Sequence, residues 1–219
     1  MTWLPVLVYL HILLMVFWIG TDLGVYLAGL RFMNPALPLE HRTAVISLGM
    51  VIDRIPRICF VAMLPVGLQL QAATGVLALT ATVMTFAWML SAVWMVAVIA
   101  GMRLAGTPQA RPWHRIERFF QIACLIGLTV AGIGGLSAHW PIPGWLSGKL
   151  IAYGAICGFV ILLERAFAPV IGTFALITSH GSTAEREASL RDGMRWTYVW
   201  VLAIYLAVLV SGYLGTVKP

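Results

Sequence analysis

Charge is what this chain has least of. Only 10% of its 219 residues are Asp, Glu, Lys or Arg, against about 25% in soluble domains. Three stretches, 58–102, 119–148 and 196–217, contain none at all. Runs of that length read as segments spanned by lipid rather than water. They exclude a soluble enzyme, a disordered chain, a collagen and a β-barrel, whose strands would alternate polar and apolar residues. Cysteine is scarce as well. Cys59, Cys124 and Cys157 are odd in number, lie in apolar segments and lack Cys-x-x-Cys spacing. They read as small hydrophobes, not as a disulfide framework or a thiolate metal site. Lysine is confined to Lys149 and Lys218, and the methionines are scattered with no Met-x-x-Met cluster. Motifs for nucleotide binding, acyl transfer and metallohydrolysis are missing. Gly132, Gly134 and Gly135 lie inside an apolar run, where they permit close helix packing.

What is present is hydrophobic: 61% of residues, with a mean hydropathy of +0.93. The expectation is an all-α, polytopic membrane helix bundle forming a single domain over 1–219. Its six spans are placed at about 3–29, 43–71, 76–102, 114–138, 149–176 and 196–216, near 20 residues or longer. The N-terminus has no basic leader region and its apolar run continues past Gly20, so it reads as a retained first span. Polar connections over 31–42, 103–115 and 180–195 carry Arg31, Arg42, Arg103, Arg111, Arg115, Arg186, Arg191 and Arg195, whereas the opposite face has only Lys149 and Lys218. By the positive-inside rule those connections are cytoplasmic and both termini lie outside. The net charge of +6 is thereby assigned to topology and not to nucleic-acid binding. This is the pattern of a multi-pass cell-membrane protein of the bacterial inner-membrane kind. Arg54-Ile55-Pro56-Arg57 and Arg115-Ile116-Glu117-Arg118 open similar segments 61 residues apart, as a parallel duplication would produce.

A charge at membrane depth costs on the order of 3 kcal/mol and calls for a partner or a task. Counting about 1.5 Å per residue from Arg31 and Arg42 puts Asp22, Asp53, Arg54, Arg57, Glu164 and Arg165 in one layer roughly 14–22 Å deep. Asp53 and Arg57 are four apart on one helix face and can pair directly. Three acids against three arginines can serve as interhelical salt bridges, or some arginines can be reserved for an anionic ligand. Among the histidines, His41, His114 and His180 fall at or near polar connections and His139 at an outer helix end. Only His11 lies deep, roughly 8 Å beyond Arg57 by the same count. An interhelical hydrogen bond is one reading of such a residue; a neutral imidazole ligand to iron is the other.

The segment His11-Ile12-Leu13-Leu14-Met15-Val16-Phe17-Trp18-Ile19-Gly20 resembles the first span of a group of small membrane proteins. These are the HemJ-type protoporphyrinogen oxidases, the CopD copper-resistance membrane domain and the membrane domain of PuuD-type urate oxidases. Arg57 followed by Pro65-Val66-Gly67 is similar to an Arg…Pro…Gly pattern of the HemJ type, and the likeness covers about residues 8–70. It implies a haem b ligand at His11; with Trp18 beside such a cofactor, the depth count leaves Arg57 and Arg54 to meet its propionates. The second axial ligand stays open between His139 and Met63. The essential lysine of the HemJ type has no counterpart in a span core here, so protoporphyrinogen oxidation is not carried over.

Haem-linked electron transfer within the membrane is therefore the first expectation, as a membrane oxidoreductase or its electron-transfer subunit. A transporter or channel using the charged layer, and a cofactor-free anchor subunit, are the alternatives. With no soluble catalytic domain legible, the expected partners are the bilayer, a quinone or separate redox protein, and further copies or subunits of a complex.

Overall fold

The computed structural model describes residues 3–218, and among these the chain is all-helical, without strands. Seven helices follow in order: α1 (Leu4–Phe32), α2 (Leu39–Ile52), α3 (Arg54–Ala73), α4 (Ala81–Arg103), α5 (Ala110–Leu136), α6 (Gly144–His180) and α7 (Ala184–Val217). Five of them, α1, α4, α5, α6 and α7, are long and apolar enough to cross a membrane. Large apolar side chains such as Phe17 and Leu27 on α1, Phe86 and Met89 on α4, and Leu206 and Leu209 on α7 stand exposed. A surface of that kind suits lipid and not water. The chain is a multi-pass membrane protein.

The span expected at 43–71 is two helices, not one. A turn at Asp53 separates α2 from α3. Pro56 suits this break, since it has no N–H to bond the Ile52 carbonyl and its ring crowds that carbonyl, whereas Pro65 inside α3 and Pro169 inside α6 are carried without one. α3 is absent from the five crossing candidates because it carries Arg54, Arg57, Gln69 and Gln71. Its enclosure explains how it can: Pro56, Cys59, Phe60, Val61, Met63, Pro65, Val66 and Gln71 are all buried. A helix wrapped in protein need not be apolar all round.

The polar connections are shorter than expected. The charged stretch 180–195 is helical from Ala184 onward, leaving only 181–183 between α6 and α7. Glu187, Leu190, Met194 and Thr197 are its buried residues, an i, i+3, i+7, i+10 stripe that marks an amphipathic helix extending beyond its apolar run. Gly181 takes φ +82 after α6, and the Thr183 hydroxyl accepts from Arg186 N at 3.3 Å to cap α7. α5 likewise begins earlier, at Ala110 and not at 114, whereas α4 begins later, at Ala81 and not at 76, so the connection 74–80 is longer than expected.

Residue contacts group the chain into two compact units, Met1–Leu23 with Ile52–Phe120, and Gly24–Val51 with Gln121–Pro219. The first contains the N-terminal part of α1, α3, α4 and the start of α5. Two contacts give its register. The imidazole of His11 faces Gly67, where a Cβ would lie 3.4 Å from Cε1, and Trp18 meets Phe60 at 5.3 Å between ring centroids. α3 steps back seven residues where α1 steps forward seven, so the two run antiparallel. Phe60 continues to Trp94 at 5.3 Å, and Trp94 stacks on Phe120 at 5.7 Å with 7° between the planes. One row of four rings thus joins α1, α3, α4 and α5.

The second unit is organised by the α6–α7 hairpin, with a core of Phe32, Ile46, Val170, Phe174, Ile177, Leu190 and Met194. Arg42 is buried inside it. Its Nη1 and Nη2 donate to Glu187 Oε1 at 2.7 Å and Oε2 at 3.1 Å, and its Nε donates to the Phe32 carbonyl at 2.9 Å. The guanidinium also lies over the rings of Phe32 and Phe174. Arg42, counted from sequence as a solvated topology charge, is a structural clamp.

Glycine sets how closely α5 and α6 approach. A Cβ on Gly154 would meet the Leu125 carbonyl at 3.1 Å and Thr129 Oγ1 at 2.6 Å. Gly154→Leu is therefore expected to push the helices apart, at a cost of about 1–3 kcal/mol or more. Thermal unfolding in detergent measures it, and an unchanged midpoint would show that the contact carries no stability.

Candidate functional site

The first unit collects most of the residues singled out from sequence. His11 sits two turns into α1, half-buried, with its ring toward the side-chain-free surface at Gly67. Trp18, two turns on along the same face, is buried against Phe60. Met63 is buried on α3 one turn before Gly67, so it shares the face that His11 meets. The register puts Met63 level with Met15, about 6 Å from the His11 level and not alongside it. His139 belongs to the other unit; it is exposed just beyond α5, with Nδ1 2.8 Å from Ser137 Oγ.

Further along α3 lies an ionic cluster. Arg57 Nε donates to Asp53 Oδ2 at 2.6 Å, the i, i+4 pair read from sequence. Arg57 Nη1 is also 3.9 Å from Glu117 Oε1 on α5, and Glu117 Oε2 is 3.5 Å from His114 Nδ1. The side chains of Asp53 and Arg57 are about a third exposed, whereas that of Glu117 is 9% exposed. His114 packs against Gly101, where a Cβ would come within 3.0 Å of its ring. Asp53, Arg57, Glu117 and His114 therefore form a continuous acid–base chain from a solvent-facing imidazole to a buried carboxylate, a guanidinium and a second carboxylate.

Glu117 was missed as a member of the charged layer. The fourth span, placed from 114, put it next to the polar connection 103–115 and outside the layer counted from Arg31 and Arg42. The available signal was the repeat, in which Glu117 takes the position of Pro56, so that Arg57 faces an acid supplied by the matching segment. Arg54 is exposed, and Asp22, half-buried on α1, is level with Pro56 by the register. Glu164, half-buried, and Arg165, exposed, belong to the second unit. Of the expected six-residue layer, the structure joins Asp53 with Arg57 and adds Glu117 and His114.

The register also changes the distance between His11 and the arginines. Gly67 stands ten residues beyond Arg57 on α3, about 15 Å along the axis, where the sequence count put their levels roughly 8 Å apart. Arg57 is moreover engaged by two carboxylates. No group of three or more His, Cys, Asp or Glu side chains that could hold a metal ion occurs among the described residues. Comparisons with protein-family models, with curated proteins and with solved structures return no match.

The two carboxylates of the cluster differ in their expected weight. Asp53→Asn breaks a pair in a partly exposed setting, which contributes about 1 kcal/mol or less. Glu117→Gln removes a buried acid from between Arg57 and His114, at about 3 kcal/mol. Unfolding midpoints of the two variants in one detergent should rank in that order. A larger loss in Asp53→Asn would show that Glu117 is not the centre of the cluster.

Proposed function

We propose that this chain is a haem b-binding integral membrane protein that carries electrons within the bilayer, with His11 as an axial ligand. The observation that carries the proposal is the setting of His11: the one histidine deep in an apolar helix, facing a glycine, with a row of four aromatic rings beginning two turns away. A porphyrin supplies four nitrogens itself, so one imidazole is enough to fix the iron, and the missing three-ligand cluster does not bear on it. When bound, haem supplies one-electron chemistry; the protein's part is position and environment. His11 presents a ring nitrogen at a fixed depth. Gly67 lets that ring pack directly against the α3 backbone, and buried Met63 offers a thioether on the same face. Trp18, Phe60, Trp94 and Phe120 make one wall apolar and dry.

Arg57 does not fit the role of propionate partner, being held by Asp53 and Glu117 about 15 Å along α3. Arg54 lies one turn further still. We assign Arg57 to the ionic cluster, give Arg54 no cofactor role, and leave His11, Met63 and Trp18 as the cofactor residues. The full topology in this reading has six crossings, α3 being the sixth with its polar residues enclosed by protein, and both termini outside the cytoplasm of a bacterial inner membrane. Electrons then need a quinone or a separate redox protein, or an assembly of several chains, to enter and leave. The test is the visible spectrum of protein purified from haem-supplied cells: a Soret band is expected, and its lack in pure, folded protein would overturn the proposal.

The acid–base chain Asp53–Arg57–Glu117–His114 favours a second reading, a transporter or channel with a protonatable path. Intramembrane ionisable residues mark such paths. Proton flux into liposomes that falls in Glu117→Gln would support it, and equal flux in liposomes with and without the protein would remove it.

A further inference from the structure

Two thiols that the haem reading does not use meet in the second unit. Cys124 on α5 and Cys157 on α6 are hydrogen-bonded to one another, and both are free thiols. No local pattern pairs them, since 32 residues and a helical hairpin lie between them. The backbone brings them together. Gly154 stands one turn before Cys157, and Gly158 directly after it. A Cβ on Gly154 would meet the Leu125 carbonyl at 3.1 Å, and one on Gly158 would meet the Leu125 side chain at 3.5 Å. Leu125 is the residue after Cys124, so α5 and α6 come close where the sulfurs are. A disulfide needs Cα atoms about 4.4–6.8 Å apart, a separation that larger residues at 154 and 158 would prevent.

The two sulfurs differ in access. Cys157 has no exposed surface, whereas Cys124 is half-buried between the lipid-facing residues Ile122, Ala123 and Ile126. Tyr153 stands one turn before Cys157 on α6. Segment 119–148 carries no charge, so a water-soluble oxidant has no polar route to Cys124. A lipid-soluble one meets it directly.

We infer that Cys124 and Cys157 form a dithiol–disulfide couple oxidised by a membrane quinone. Two S–H bonds break and one S–S bond forms, and the two electrons and two protons released convert the quinone to its quinol. Cys124 is the sulfur the quinone reaches, and Cys157 the resolving thiol that closes the bond. Cys59, buried in the other unit, takes no part.

The experiment uses the full chain in nanodiscs under argon, with decylubiquinone as the oxidant. After treatment the protein is unfolded, alkylated with N-ethylmaleimide and mapped by mass spectrometry, and quinol is followed by ultraviolet absorbance. The expected result is a Cys124–Cys157 cross-linked peptide, alkylation at Cys59 alone, and about one quinol per chain. Cys124→Ser and Cys157→Ser should each abolish quinol formation, and Cys59→Ser should leave it intact. Three alkylated cysteines after quinone treatment would overturn the inference, as would a quinone adduct on Cys124 with Cys157 still alkylated. A disulfide formed by copper–phenanthroline but not by the quinone would overturn the assignment of the oxidant.

Discussion

Replacing His11 with alanine should remove the Soret band from the purified protein while leaving the helical circular dichroism unchanged. The expectation follows from coordination chemistry: an iron porphyrin in an apolar bundle is held in place by its axial bond, and no other imidazole lies on the face that meets Gly67. The fold should survive because His11 is half-buried on a helix whose packing rests on neighbours such as Trp18, buried against Phe60. Two companion variants sharpen the result. Gly67→Leu pushes the ring off the α3 backbone it packs against and should lower the haem-to-protein ratio with His11 still present. Arg57→Gln should leave the ratio at the wild-type level, since Arg57 is bonded to Asp53 and near Glu117. A His11→Ala protein with a full Soret band would exclude His11 as ligand, and a depleted Arg57→Gln protein would return the propionate role to Arg57.

The second large effect concerns stability. Glu187→Gln should destabilise the second unit by about 3–5 kcal/mol, because it leaves the Arg42 guanidinium charged and enclosed without its counter-ion. The side chains of Arg42 and Glu187 are 3% and 7% exposed, so water cannot take the partner's place. Ser182 Oγ also donates to Glu187 Oε1 at 2.7 Å, which ties the α6–α7 connection to the same pair. The double variant Arg42→Met with Glu187→Leu should recover most of the loss, since an apolar pair of similar volume has no desolvation cost. Unfolding midpoints in detergent for wild type, the single and the double variant check it. If the double variant is as unstable as Glu187→Gln alone, then the hydrogen bonds to the Phe32 carbonyl and Ser182, and not the charge, carry the stability.

How much of this was legible beforehand depends on the range of the interaction. The uncharged stretches determined by themselves that the chain is helical and membrane-embedded, because lipid admits few backbone solutions and a run of apolar residues names the commonest of them. The Asp53–Arg57 pair was legible too, since four residues along a helix is a fixed distance. Helix ends were less so. Treating the charged stretch before Arg195 as loop ignored the spacing of Glu187, Leu190 and Met194, which already marked a helix; the break at Asp53 was not legible, since a proline alone does not end α3 at Pro65 or α6 at Pro169.

Other features depend on which helix lies beside which, and no local pattern encodes that. Glu117 becomes part of the charge cluster only because α5 lies within reach of Arg57. Arg42 becomes a buried clamp only because α7 supplies Glu187. Cys124 and Cys157 are two ordinary cysteines in apolar helices until Gly154 lets α5 and α6 approach. The composition set the solvent and the secondary structure; tertiary packing chose the partners, since the energy of burying a charge or a thiol depends on what it faces across the helix–helix contact.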